Sequence, residues 1–436
     1  MKIIEKMEQP LNREKIIRGW AFFDWANSAF ALVISVAIFP AYFINHSPDF
    51  VSVLGAEISN SALFSYTISF TYLLLVILLP FLSGLADYSG KRMTFLKIFT
   101  LVGSIGCMLL FFFNGVDRLF WGLWCFVLAM IGFDGGKVFY NSYLPLICSR
   151  DRYDKVSAMG FAYGYIGSVI LLIFNLVMIL YPSWFGIDDP NLAIRISFIT
   201  VGLWWIGFAQ IPFARLPKEK ESWSSSAWKK GLSELYQAYQ MIVDRKNLLR
   251  FLYSFFFYSA GVQTVLYLAS TFAEKELQFG TTGLIVVILI LQLLAIGGAY
   301  LFSAVSQKRG NKAAIVIMLI IWIVICAMAY FVHDKGQFYV LAALVGLVMG
   351  GIQSTSRSTF AKLLPKADTH HDNSYFGFYE ILEKLAIVFG TFSFGLIDQL
   401  SGGMRNSILI LALYFVIGLI LLFRVRGDEL KFSVNQ

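Results

Sequence analysis

Charged residues are sparse in this chain: Asp, Glu, Lys and Arg make up 14% of its 436 residues, where soluble domains carry about 25%. Apolar residues reach 58%, so a water-solvated globule is excluded. Cysteine and histidine are thin, at four of each. Cys107, Cys125, Cys148 and Cys326 are scattered, three of them inside apolar runs, with neither paired nor metal-like spacing, which sets aside disulfides and zinc. His370, His371 and Asp372 are neighbours in a basic loop with no partner cluster, so they read as solvated residues and no metal is expected. No histidine falls inside an apolar run and no Gly-x-Ser-x-Gly stretch occurs, so a membrane-embedded acyltransferase or protease would lack its nucleophile and base. The chain is therefore not read as an enzyme, and no cofactor is expected. The first nineteen residues are polar and basic, without an apolar core followed by a small-residue cleavage site, so no cleaved signal peptide is expected.

What the chain does have is aliphatic and aromatic bulk. Its 42 Phe, 21 Tyr and 10 Trp suit a lipid-facing surface with interfacial anchors, not a nucleic-acid-binding one. Apolar runs fall near 20–44, 60–86, 93–113, 119–147, 157–182, 192–214, 248–273, 281–305, 313–332, 337–363, 376–400 and 406–423. Each is long enough to cross a bilayer, and in lipid only helices and closed barrels satisfy the backbone. The runs are continuous, not alternating, which selects helices. The expected fold is an all-α polytopic membrane protein with twelve transmembrane helices. Twelve spans of ~21 residues occupy ~252 positions. That leaves room for short loops, two tails and one longer linker, but not for a separate catalytic domain.

Orientation follows from the loops. One series collects Lys and Arg, among them Lys2, Lys6, Arg13, Lys91, Arg92, Arg150, Arg152, Lys220, Lys229, Lys230, Lys308, Arg309, Lys366, Arg424 and Lys431; the other holds Arg118, Lys275, Lys335 and Arg405. With an even number of spans this places both termini in the cytoplasm. The expected location is a bacterial inner membrane, or a vacuolar membrane in a eukaryote, with lipids as the surrounding partner.

The longest polar stretch separates two sets of six spans, giving an N-terminal bundle over 1–214, a linker over 215–247 and a C-terminal bundle over 248–436. Within the linker Leu232, Leu235, Tyr236, Tyr239 and Ile242 recur at helical spacing beside Lys229, Lys230 and Glu234, which predicts a short amphipathic helix on the inner membrane face. It reads as a tether between halves, with a regulatory docking helix as the alternative. An internal repeat relates the bundles. A shift of 220 lays Ser83, Gly90 and Arg92 on Ser303, Gly310 and Lys312, and Lys137, Tyr140 and Pro145 on Arg357, Phe360 and Pro365; a shift of 217 lays Ser157, Gly160 and Phe161 on Ser374, Gly377 and Phe378. Parallel copies of this kind, pseudo-symmetric about the membrane normal, are the plan of a transporter that rocks around a site near the midplane.

Gly84-Leu-Ala-Asp87-Tyr-Ser-Gly90-Lys91-Arg92 lies in the turn between spans 2 and 3. A phosphate-binding loop has four residues between its glycines and Ser or Thr after Lys; here there are five, and Arg92 follows, which disfavours ATP. The stretch resembles instead the gating loop of the major facilitator superfamily. That resemblance implies a tight glycine turn, a cytoplasmic basic pair, and Asp87 capping a helix of the other half to hold the cytoplasmic side shut. A solvated loop acid is the plain alternative. The repeat's matching turn, Gln307-Lys308-Arg309-Gly310, lacks the acid, so the latch is expected to be asymmetric.

Four further stretches sharpen the likeness: Arg18 to Phe30 with Asp24, Asn27 and Ser28; Phe139-Tyr140-Asn141 to Pro145; Gly350 to Lys362 with Gln353 and Arg357; and Phe376-Gly377-Phe-Tyr379-Glu380 through Lys384. They resemble the vacuole effluxer-like branch of that superfamily over nearly the whole chain, with Glu383 where a small residue is expected and Thr391 where Pro is common. Fungal members of the branch are associated with releasing amino acids from vacuoles, so the resemblance implies amino-acid efflux.

Ionisable residues within spans are costly, ~2.5–3.5 kcal/mol each at a helix centre, yet Asp24, Asp134, Lys137, Arg357, Glu380, Glu383 and Lys384 stand in or near the apolar runs. Asp134, Lys137 and Asn141 share one face of span 4, Gln353 and Arg357 a face of span 10, and Glu380 and Lys384 are an acid-first i,i+4 pair. One reading is that these charges merely neutralise one another and fasten helices. The other is that Lys137 and Arg357 face a shared cavity and hold a carboxylate, with Asn27, Asn141 and Gln353 orienting it and Asp24 or Asp134 available for an ammonium group. Asp24 and Glu380, with Lys384 beside the latter, are candidates for proton coupling. Gly160, Gly164, Gly167, Gly346 and Gly350 allow close helix approach. The function expected is a monomeric secondary transporter of a small polar solute, an amino acid or related carboxylate; lipid-like or drug efflux is the alternative.

Overall fold

Twelve long helices and one surface helix carry most of the residues described by the computed structural model, which are 11–53, 55–218, 227–279, 281–365, 371–401 and 404–427. Lys2, Lys6, Lys220, Lys366, His370 and Lys431, invoked above, lie outside the described residues. The first half comprises α1 (Glu14–Asn45), α2 (Asn60–Ser89), α3 (Arg92–Leu109), α4 (Leu119–Asn141), α5 (Tyr153–Leu180) and α6 (Pro190–Arg215). The surface helix is α7 (Ala227–Asp244). The second half comprises α8 (Lys246–Leu277), α9 (Thr281–Arg309), α10 (Asn311–Phe331), α11 (Lys335–Leu363), α12 (Asp372–Ser401) and α13 (Met404–Phe423). Among the described residues ten of the long helices are apolar enough by length and composition to cross a membrane. The other two are α8, with Arg250 and Glu276 toward its ends, and α12, with Glu380, Glu383 and Lys384 within its length.

Local chemistry sets the ends. Ser59 accepts from the amide of Ala62 to start α2, which stops at Gly90 in the left-handed region (φ 65°). Asp189 caps α6 ahead of Pro190, and Asp334 caps α11 through the amide of Gln337. Two features depart from a plain set of helical rods. Phe30–Ile38 within α1 winds as a π-helix before Pro40, which has no amide to donate. The loop after α1 forms a hairpin, β1 (Phe50–Val53) paired antiparallel with β2 (Ala56–Ser59), with Gly55 at φ 85° in its turn. Its strands are four residues each, too short to register against the apolar runs around them.

The halves pack alike. α1 lies on α5 and α6, and α3 on α4 and α6; α8 lies on α12 and α13, and α9 on α11. Contact between halves is made by α5 with α9 and α11, and by α12 with α2 and α4. Outward stripes such as Leu409, Leu413, Val416 and Ile420 on α13 remain exposed, as a lipid-facing surface would. Small residues seat α11 against α9, where a Cβ at Gly350 would strike the Ala295 carbonyl. Gly350→Val is therefore expected to destabilise the fold by about 1–3 kcal/mol through overpacking, read as a lower Tm in detergent.

Candidate functional site

A cavity of about 260 Å³ lies where the halves meet. Asp24 of α1, Asp134, Lys137 and Asn141 of α4, Gln353 and Arg357 of α11, and Glu380 and Glu383 of α12 all line it. Tyr72, Tyr165, Tyr258, Tyr267 and Tyr379 complete much of the wall. The helical spacing of each group puts it on the inward face of its own helix. The crossing of α5, α11 and α12 then brings the groups together.

Two charge groups result. In the first, Arg357 spends its guanidinium on the protein. Its Nε donates to Ser157 Oγ (2.9 Å), one terminal nitrogen to the Ser157 carbonyl (2.8 Å), and the other to Asn141 Oδ1 (3.0 Å) and Asp24 (3.5 Å). Asp24 also accepts from Tyr140 (2.7 Å), and the Arg357 plane lies over the rings of Trp20 and Phe161. The side chain is 4% exposed. A buried guanidinium held by a bidentate-type network is stabilised only while its partners stay in place.

The second group centres on Lys384, whose ammonium meets Asp134 (2.6 Å), Glu383 (3.1 Å) and Glu380 (3.3 Å). Lys384 is buried behind these carboxylates and does not line the cavity. Asn141 joins the two groups, donating to Glu380 Oε1 (2.8 Å) while accepting from Arg357. Lys137 differs from both other cations. Its side chain is 28% exposed, it lies 3.5 Å from Asp134, and it sits over the Phe133 ring. It has donors to spare. Gln353 accepts from the Tyr165 hydroxyl (2.7 Å). Asn27 is buried away from the cavity lining, and among the described residues its amide atoms have no hydrogen-bond partner.

Below the cavity, toward the face rich in Lys and Arg, the halves are bonded together in two places. Asp87, at the end of α2, accepts at Oδ1 from the backbone and side chain of Asn373 (3.0 and 2.8 Å). At Oδ2 it accepts from the backbone and side chain of Ser374 (2.8 and 2.5 Å). These are the first amides of α12, where a carboxylate also gains from the helix dipole. Ser142 Oγ donates to Asn373, and Arg92 donates to the Ser142 carbonyl (3.1 Å), which ties the α2–α3 turn into the same network. Gly90 supplies the left-handed turn, Lys91 precedes α3, and Gly84 allows the backbone of α7 to lie against α2 at Gly231.

The second fastening is made by residues that motif reading passes over. Asp154, in the first turn of α5, accepts from Lys362 of α11 (2.5 Å), Asn311 of α10 (2.8 Å) and Ser306 of α9 (3.0 Å). Ser157 donates to the Ser354 carbonyl (2.7 Å) beside it. The turn at Gln307 to Gly310 indeed lacks an acid, and Asp154 supplies one from the helix opposite. Its signal was present: it sits three residues before Ser157, which the repeat places on Ser374. On the opposite face of the cavity the Tyr72 and Tyr267 hydroxyls meet at 2.5 Å.

Helix α7 crosses this basic face. Lys230 donates to Tyr88 of α2 (2.9 Å), Glu234 pairs with His371 (2.8 Å), and Tyr375 of α12 points its hydroxyl at Met241 (3.0 Å). The arrangement suits solute binding and release. A polar cavity sits between two bundles, shut on one face by hydrogen bonds that rotation of the bundles would break.

Comparison with known proteins places this geometry. The family described as vacuole effluxer Atg22 like matches residues 12–431. The MFS-type transporter YxiO of Bacillus subtilis is 31% identical over 96% of each chain. Autophagy-related protein 22-1 of Aspergillus niger is 25% identical, covering 88% of this chain and 76% of its own. In fold, the chain resembles the major facilitator superfamily transporter FucP in its outward conformation (TM-score 0.66, 11% identity, 94% and 98% covered). It also resembles the human organic anion transporter MFSD10 (TM-score 0.67, 14% identity, 94% and 98% covered).

Proposed function

The chain belongs to the vacuole effluxer Atg22-like family of major facilitator transporters, and from that premise we propose that it carries an amino acid or related carboxylate by alternating access. It is a transporter and not an enzyme. The observation that carries the substrate reading is Lys137, an ammonium group on the cavity wall with donors left over. Arg357 holds the halves together in this state, and Asn141 and Gln353 supply polar contacts at its side of the cavity. A solute carboxylate at Lys137 leaves its ammonium group to the carboxylates around it. Asp24, Glu380 and Lys384 are the groups through which proton movement would be felt. The bundles 1–214 and 248–436 move as the two rocking units, linked by 215–247. The protein works as a monomer in a bacterial inner membrane with both termini cytoplasmic.

Counterflow of labelled amino acids in proteoliposomes tests the reading. Lys137→Ala removes one charge-assisted hydrogen bond, worth about 1.5–3 kcal/mol. It is therefore expected to raise the half-saturating concentration about 10- to 100-fold while the protein still reaches the membrane. Full-rate counterflow with unchanged saturation in Lys137→Ala would remove it from the site.

A further inference from the structure

Helix α7 carries more apolar surface than its seat on the protein uses. Gly231, Leu235, Ala238 and Ile242 recur along one line of the helix, and this line meets the bundles: Ala238 and Ile242 are buried, and Gly231 and Leu235 lie against Gly84 of α2. The residue after each of the four is apolar as well. Leu232, Tyr236, Tyr239 and Val243 form a second line about 100° round the helix, and all four are 40–61% exposed.

The contacts of α7 fix which way that second line points. Lys230 and Glu234, beyond the seat on its other side, meet Tyr88 in the last turn of α2 and His371 just before α12, at the ends of those helices on the basic face. Crossing the helix from there, the seat meets Gly84, about 6 Å deeper along α2 than Tyr88. Tyr239 of the second line packs on Phe378 (6.1 Å between ring centroids), about 10 Å deeper along α12 than His371. The exposed line therefore faces the bilayer and not the water. It continues the exposed apolar stripe of α2, Leu73, Ile77 and Phe81, which ends one turn short of Gly84. Lys229 lies on nearly the same line two turns before Tyr236, and Lys230, Arg245 and Lys246 are exposed at the two ends of the helix. The acids of α7, Glu234 and Asp244, lie on other lines.

We infer that an anionic phospholipid of the leaflet at the basic face binds under α7, with its acyl chains along Leu232, Tyr236, Tyr239 and Val243 and its phosphate at Lys229. A free apolar stripe bordered by basic side chains supplies both attractions that such binding needs. Because α7 touches both halves, through Gly84 of α2 and through His371 and Phe378 of α12, the ledge that holds the lipid is whole only while the halves stay together on this face. The bound lipid thus favours the shut state, by no more than its own preference for that state over the open one. This shift requires the rocking motion proposed above; the lipid site does not.

The test uses the full chain in nanodiscs of phosphatidylcholine with and without phosphatidylglycerol, carrying a fluorophore on Tyr236→Cys or, as a second position, on Val243→Cys. The four native cysteines are buried. Fluorescence at either position is expected to be quenched by nitroxide-bearing lipid and spared by iodide, while the same label on Gln237→Cys, on the water side of α7, is quenched by iodide. Nitroxide phosphatidylglycerol is expected to quench at least about fivefold more effectively than nitroxide phosphatidylcholine at equal content. Lys229→Gln is expected to cut that preference about fivefold, the contribution of one basic side chain at an anionic surface. Maleimide labelling of Ser354→Cys, buried where the halves meet, is expected to slow by up to the same factor when phosphatidylglycerol is present, and to lose that slowing in Lys229→Gln. Iodide quenching as strong at Tyr236→Cys as at Gln237→Cys overturns the inference and leaves the stripe to a soluble partner or a second copy of the chain. Equal quenching by the two lipids, or a preference retained in Lys229→Gln, overturns the anionic site. Labelling of Ser354→Cys that ignores phosphatidylglycerol overturns the lipid's hold on the shut state; if Asp87→Ala leaves that labelling unmoved as well, it is the rocking reading that fails.

Discussion

Lys384→Met is expected to cost about 3–5 kcal/mol of stability, the range for removing one partner from a buried ion cluster. The ammonium group is 1% exposed and is the meeting point of three carboxylates on two halves of the molecule, Asp134 on α4 and Glu380 and Glu383 on α12. Without it, those carboxylates face one another with only Lys137 at 3.5 Å from Asp134 as a counter-charge. A lower Tm in detergent, by several degrees, is the readout. Lys384→Met combined with Asp134→Asn is expected to recover part of the loss, because one carboxylate leaves with the cation. Unchanged melting in the single variant would mean that the cluster does not hold the charges the geometry gives it.

The second large effect is conformational. Asp87 accepts four hydrogen bonds from Asn373 and Ser374 across the interface, and Asp87→Ala removes all of them from the closed state alone. With roughly 0.5–1.5 kcal/mol net for each, or more when the acceptor is charged, the closed form loses about 3 kcal/mol. That shifts the closed-to-open ratio roughly a hundredfold. A cysteine at Ser354, buried on α11 where Ser157 donates across the interface, reports the change. Its labelling by a maleimide is expected to accelerate at least tenfold in Asp87→Ala. The four native cysteines are buried and give little background. Asp154→Asn is the complementary change, leaving Lys362 without its carboxylate at the other fastening.

Helix count and register were readable because the signal is dense. An uninterrupted apolar run such as 406–423 has one inexpensive solution in lipid, and α13 covers Met404–Phe423. The hairpin at 50–59 was not readable: four-residue strands leave no periodicity, and only Gly55 marks the turn. The site was legible in membership more than in role. Asp134, Lys137, Asn141, Gln353, Arg357, Asp24 and Glu380 were found by asking which ionisable and amide groups share a helix face, and they line one cavity. That question cannot tell which cation is consumed by the fold. Arg357 looked equivalent to Lys137 through the repeat, yet Ser157 and Asn141 occupy its donors, while Lys137 lines the cavity with its side chain 28% exposed. Asn27 shares the motif of Asp24 but lies one turn on and turns away from the cavity. Asp154 and Lys362 each look like an ordinary charge at a helix end; the repeat placed Asp154 near Ser157, but only the 2.5 Å approach across the halves pairs it with Lys362.

The surface helix is joined to α2 and to α12 by different means. Against α2 it is seated closely, the Gly231 carbonyl on Gly84 with Leu235 beside it, and Lys230 donates to Tyr88. Against α12 it reaches with long side chains, Glu234 to His371 and Met241 to Tyr375. Separation of the bundles would carry the close α2 contact with the first half and load the side-chain contacts to α12.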